Sequence, residues 1–133
     1  MVQRFHAPWL PTVLGVAVAI LAIDAARELL VAPPRLAQFF LLGFLVEGEV
    51  AWAAATVHML FLAWLAFAAF GRRQTAVWGV LGYCAYWIIT VWVWAPQYAP
   101  GSVGTKIITC TMVTVVLIVI CRVAVANREA FDR

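Results

Sequence analysis

The chain has 133 residues, 66% of them hydrophobic and only 11% charged, with a mean hydropathy of +0.99, values that exclude an ordinary soluble domain. Its formal net charge of +3 comes from scattered bases, with no basic stripe and no base-stacking platform, so nucleic acid is excluded as a partner and the charge reads as orientation information. A hydrocarbon core about 30 Å thick takes roughly 20 apolar residues per helix, so this length supports four crossings and no water-soluble domain of any size.

The first predicted span covers residues 10–31. Arg4 followed by "VLGVAVAILAI" imitates a secretory leader, but no small-x-small cleavage pattern follows, and a retained helix is the expectation. Within "LAIDAARELLVAPP" this span carries Asp24, Arg27 and Glu28. At about 100° per residue, Glu28 lies roughly 40° to one side of Asp24 and Arg27 roughly 60° to the other, so all three share a stripe and an Asp24–Arg27 ion pair is expected. The opposite face reads Gly15, Ala19, Ala22 and Ala26, small residues that let a neighbouring helix approach closely. Packing and ionisable groups are thereby assigned to different sides. A charge near the bilayer centre costs at least about 2.5 kcal/mol on the mildest scale, so the stripe is expected to face protein or a polar cavity.

Pro33-Pro34 ends the first span. The apolar run at 36–46 is too short to cross and predicts a short interfacial or re-entrant helix on the outer side. A continuous helix over 36–70 is the alternative, opposed by Gly43 and Gly48. The second span, 50–70, has a seam at Ala51, Ala55, His58, Leu62, Ala66 and Ala69, which turns His58 toward other helices near mid-membrane. Its ring needs a partner there, for which Tyr83, Tyr86, Thr109, Thr111 and Thr114 are candidates. Glu47 is too far along a helix to touch it.

Gly71-Arg72-Arg73 leads to the third span, 76–95, on which Tyr83, Trp87, Thr90 and Trp94 form a stripe at helical spacing. That stripe reads as core filling or as the wall of a lipid, quinone or drug-like pocket. Other aromatic residues, among them Trp9, Trp78, Trp92 and Tyr98, sit where interfacial belts form. "APQYAPGSVG" then breaks the chain, and the fourth span covers 106–126, with Lys106 at its outer end expected to reach toward Glu47 or Glu49.

Bases cluster on alternate flanks: Arg4, then Arg72 and Arg73, then Arg122, Arg128 and Arg133. The positive-inside rule therefore places both termini in the cytoplasm. The fold expected is an all-α integral membrane protein, a four-helix bundle forming one membrane domain in the bacterial inner membrane.

Phosphate-binding loops, hydrolase triads and metal-spaced His/Cys clusters are missing from the sequence, so an enzyme is the less favoured class. Cys84, Cys110 and Cys121 lie within apolar runs and read as buried free thiols. No cofactor is expected. Haem on His58 is an alternative that needs a second ligand from another subunit, since His6 falls at the cytoplasmic edge. The candidate ligand- or ion-binding residues are Asp24, Arg27, Glu28, His58, Tyr83 and Trp87.

Three functions follow: binding of a small molecule or ion at this intramembrane polar cluster, connected with transport; a non-catalytic subunit of a larger membrane complex; or an intramembrane enzyme acting on a lipid, isoprenoid or quinone with His58 as acid and base. The partners expected are membrane lipids, a second copy or other membrane subunits, and a small apolar or ionic ligand.

Overall fold

The computed structural model describes residues 7–132; Arg4, His6 and Arg133, used above for orientation and ligation, lie outside the described residues. Four long helices dominate: α1 (Leu10–Val31), α2 (Gly48–Phe70), α3 (Gln74–Tyr98) and α4 (Val103–Ala126). Their bounds differ from the expected spans by three residues at most. The helices α2, α3 and α4 are each long and apolar enough to cross a membrane, the character of an integral membrane protein. Helix α1 has 22 residues, a length of about 33 Å, and runs antiparallel along α2. A β-carbon added at Gly15 would lie 2.9 Å from the Phe70 ring, so the start of α1 meets the end of α2.

The small-residue seams pack as their spacing requires. Gly15 and Val18 of α1 are buried, as are Ala51, Leu62, Ala66 and Ala69 of α2. The core continues through Ala76, Val77, Val80 and Cys84 of α3 to Ala124 and the fully buried Phe131. Phe131 belongs to a short 3-10 turn, Arg128–Phe131, that folds back under the bundle. The Ala7 amide donates to Asn127 Oδ1 at 3.1 Å, and Asn127 Nδ2 returns to the Val123 carbonyl. Both described ends of the chain therefore lie at one end of the bundle, beside the 71–73 loop. The tightly packed core fills this half.

The opposite half is built differently. After a 3-10 turn at Pro34–Leu36, residues 36–46 do not form the expected short helix, nor do they extend α2. They form an antiparallel hairpin, β1 (Gln38–Leu41) and β2 (Phe44–Glu47), with Phe39 opposite Val46 and Leu41 opposite Phe44. Leu42 (φ 51°) and Gly43 (φ 88°) make the two-residue turn, which needs positive φ at both central positions to match the strand twist. Aromatic and β-branched residues favour the strands. The apolar run has no alternation to announce them.

The hairpin is pressed against α3. A β-carbon on Gly43 would come within 2.6 Å of the Thr90 carbonyl and within 2.8 Å of the Trp94 amide nitrogen. The Phe40 carbonyl accepts a 3.0 Å hydrogen bond from Tyr86 Oη, and the Gly48 amide donates to the Ala37 carbonyl. Those bonds satisfy backbone groups that the hairpin's packing takes from solvent. Thr90, 3% exposed beneath the hairpin, leaves its Oγ1 without a partner.

Helix α4 packs mainly on α3. Trp92 Nε1 donates to Thr114 Oγ1 at 3.0 Å, and Thr114 in turn donates to the Cys110 carbonyl. Lys106 does not reach Glu47 or Glu49; its Nζ donates to the Pro96 carbonyl at 3.1 Å, while Glu47 accepts from Gln38 Nε2. The proline near the end of α3 and the nearby ammonium satisfy each other.

Candidate intramembrane site

Two neighbouring cavities adjoin the hairpin, one of them reaching down between α2 and α3 to Trp64 and Trp78, beside the core. One, of about 340 Å³, lies among α1, α2, α3 and the hairpin, and its wall includes Asp24, Glu28, Gln38, His58, Tyr83 and Trp87. The other, of about 430 Å³, lies between α2 and α3 and is almost wholly apolar, with Val57, Phe61, Trp64, Trp78 and Gly82 on its wall. Phe39, His58, Tyr83 and Tyr86 line both. The two spaces share one aromatic partition.

His58 is the centre of that partition. Its position on the α2 seam turns the half-buried ring inward, ten residues and about 15 Å from the start of the helix. Tyr83 Oη lies 3.4 Å from His58 Nε2, a long hydrogen bond, and supplies the partner the ring requires. The Phe39 ring meets His58 edge-on at 5.5 Å, with Tyr83 and Tyr86 centred 5.6 and 6.3 Å away. Trp87 meets both tyrosines edge-on. The threonines of α4 that the sequence offered as partners take other bonds: Thr109 and Thr111 cap carbonyls of their own helix, and Thr114 joins Trp92.

The stripe on α1 divides. Asp24, Glu28, Leu21 and Ala25 line the mixed cavity. On a helical wheel they fall at about 0°, 40°, 60° and 100°, one unbroken arc. Arg27, at about 60° on the other side of Asp24, lies off that arc and does not line the cavity. No ion pair or hydrogen bond joins it to Asp24 among the described residues, and both side chains are exposed. The expected internal pair is therefore not made: the wheel positions are compatible with it, but the cavity takes one side of Asp24 and Arg27 points to the other. The sequence grouped three ionisable residues where the fold keeps two.

Five of the six candidates, Asp24, Glu28, His58, Tyr83 and Trp87, thus come together on one wall. Sequence reasoning missed Phe39, Gln38 and, as site residues, Tyr86 and Gly82. The first two were hidden because the hairpin was read as helix. Gly82 was open to discovery: on the α3 face carrying Tyr83 and Tyr86 it leaves open space, since a β-carbon there would meet nothing within 4 Å.

The arrangement presents two carboxyls, an imidazole hydrogen-bonded to a phenol, and an open apolar recess. Among the described residues no group of three or more His, Cys, Asp and Glu side chains is placed to hold a metal ion. Comparison with protein-family models, curated proteins and solved structures finds no match in any of the three, so the functional reading rests on this geometry alone.

Proposed function

We propose that the chain is a four-span protein of a cell membrane, the bacterial inner membrane by the sequence reading, with both termini in the cytoplasm. It binds a small molecule or ion at the cavity lined by Asp24, Glu28 and His58, in a role connected with transport. The observation that carries this reading is the convergence of those side chains, from α1 and α2, on one wall with Tyr83 and Trp87 of α3. Asp24 lies seven residues before Val31, about 10 Å in from the helix end, where an ionisable group is retained for a task and not for stability. Concave sites with few convergent polar groups on a mainly apolar wall are the usual form of small-molecule sites.

Native mass spectrometry of the protein released from mild detergent tests the reading. A bound small species carried by the wild-type chain and lost from Asp24→Asn/Glu28→Gln, with helicity unchanged, is the expected result. Equal occupancy in both, or an empty wild-type chain that also fails to take up added probes, would overturn it.

A second reading has its own support. The apolar recess abuts the His58–Tyr83 hydrogen bond, as an intramembrane enzyme acting on an isoprenoid, lipid or quinone would require of an acid–base pair. Chemical change in a co-purified lipid that depends on His58 would favour it over simple binding.

A further inference from the structure

We infer that the occupant is an amphiphilic organic cation, with its charged group in the mixed cavity and its apolar arm laid across the shared aromatic residues into the larger recess. This deepens the binding reading above and rests on it. Three observations carry it.

The first is charge. Asp24 and Glu28 are the only charged side chains on the mixed wall, and no Lys or Arg among the described residues lines it. With Arg27 off this arc, His58 is the one side chain on the wall able to carry positive charge, and its Nε2 is engaged with Tyr83 Oη. A carboxylate pair on a mainly apolar wall gains most from a counter-charge inside the same space.

The second is shape. The mixed and apolar spaces, about 340 and 430 Å³, meet at Phe39, His58, Tyr83 and Tyr86. A compact inorganic ion would use one space and leave the other without purpose. A molecule with a charged head and an aryl or alkyl arm uses both.

The third is the partition itself. Tyr83 and Tyr86 stack on each other and Trp87 meets both edge-on, an aromatic cluster on the wall of the mixed cavity of the kind that attracts organic ammonium groups. The Tyr86 hydroxyl is held by the Phe40 carbonyl, which fixes its ring as part of the wall.

Isothermal titration in detergent with two probes of one shape tests this: phenylbutyltrimethylammonium and its uncharged carbon isostere. Micelle partitioning is common to wild type and variants and cancels between them. The cation is expected to bind at least about tenfold more tightly than the isostere, a preference lost in Asp24→Asn/Glu28→Gln. Gly82→Leu, whose β-carbon meets nothing within 4 Å, fills the apolar recess without disturbing the fold and should weaken both probes about tenfold. If both probes bind equally, respond to Gly82→Leu and ignore the carboxyl variants, the cation assignment falls while the cavity stands as a small-molecule site. If neither probe's binding responds to any of these variants, the assignment and the underlying reading fall together.

Discussion

Gly43→Ala should unseat the hairpin, and the cost follows from two terms. A β-carbon there would sit 2.6 Å from the Thr90 carbonyl oxygen and 2.8 Å from the Trp94 amide nitrogen, helix backbone that cannot step aside. Overpacking of this kind costs about 1–3 kcal/mol, and placing an L-residue at φ 88° adds about 1–2 kcal/mol. The sum is about 2–5 kcal/mol. Gly48→Ala is the control, because Gly48 also has positive φ, 69°, yet a β-carbon on it meets nothing within 4 Å. It should cost only the strain, about 1 kcal/mol. Amide hydrogen exchange in the 38–47 ladder reads the difference. Local opening should accelerate about 30- to 4,000-fold in Gly43→Ala and about fivefold in Gly48→Ala. Tyr86→Phe, which removes the bond to Phe40, should add little on top of Gly43→Ala, because the hairpin has already left its seat. Equal acceleration in the two glycine variants would refute the claim that the turn is wedged onto α3.

Thr90→Val replaces a buried, unpartnered hydroxyl with a methyl of similar size and should raise stability by about 1 kcal/mol, seen as a later midpoint in reversible unfolding in mixed micelles; a loss of stability would show that the hydroxyl has a role. Leu62→Ala empties part of the packed core, where Leu62 is 1% exposed, and should cost about 2–5 kcal/mol in the same assay. Asn127→Ala removes the bonds to Ala7 and Val123 and should cost about 1–3 kcal/mol, with proteolysis of the first residues accelerated.

The helices were legible because membrane solvent leaves no choice: a run of about 20 apolar residues between Pro, Gly and Arg punctuation must satisfy its backbone within itself. The seams on α1 and α2 were legible for a related reason, since small residues at helical spacing mark where backbones approach. The hairpin was not. Its eight strand residues carry no alternation, and its turn is Leu42-Gly43 where the familiar signal is Asn-Gly. Contact with Tyr86 and Thr90, far away in the chain, stabilises it.

Of the site, Asp24, Glu28, His58, Tyr83 and Trp87 could be nominated from depth and face alone. The separation of Arg27 from Asp24 could not, because it depends on which side of α1 the cavity lies. That in turn is decided by where α3 and the hairpin pack.

The central claim is that the ionisable side chains of α1 and α2 turn into a shared polar cavity and away from lipid. Thiol labelling tests it in a background with Cys84, Cys110 and Cys121 changed to alanine, using a water-soluble methanethiosulfonate on the protein in vesicles. Asp24→Cys and His58→Cys should react, since both positions line the cavity, while Ile23→Cys and Leu60→Cys, 70% and 58% exposed on the outer faces of their helices, should stay unmodified in hydrocarbon. Reaction of Asp24→Cys and His58→Cys no faster than that of Ile23→Cys and Leu60→Cys would contradict the account.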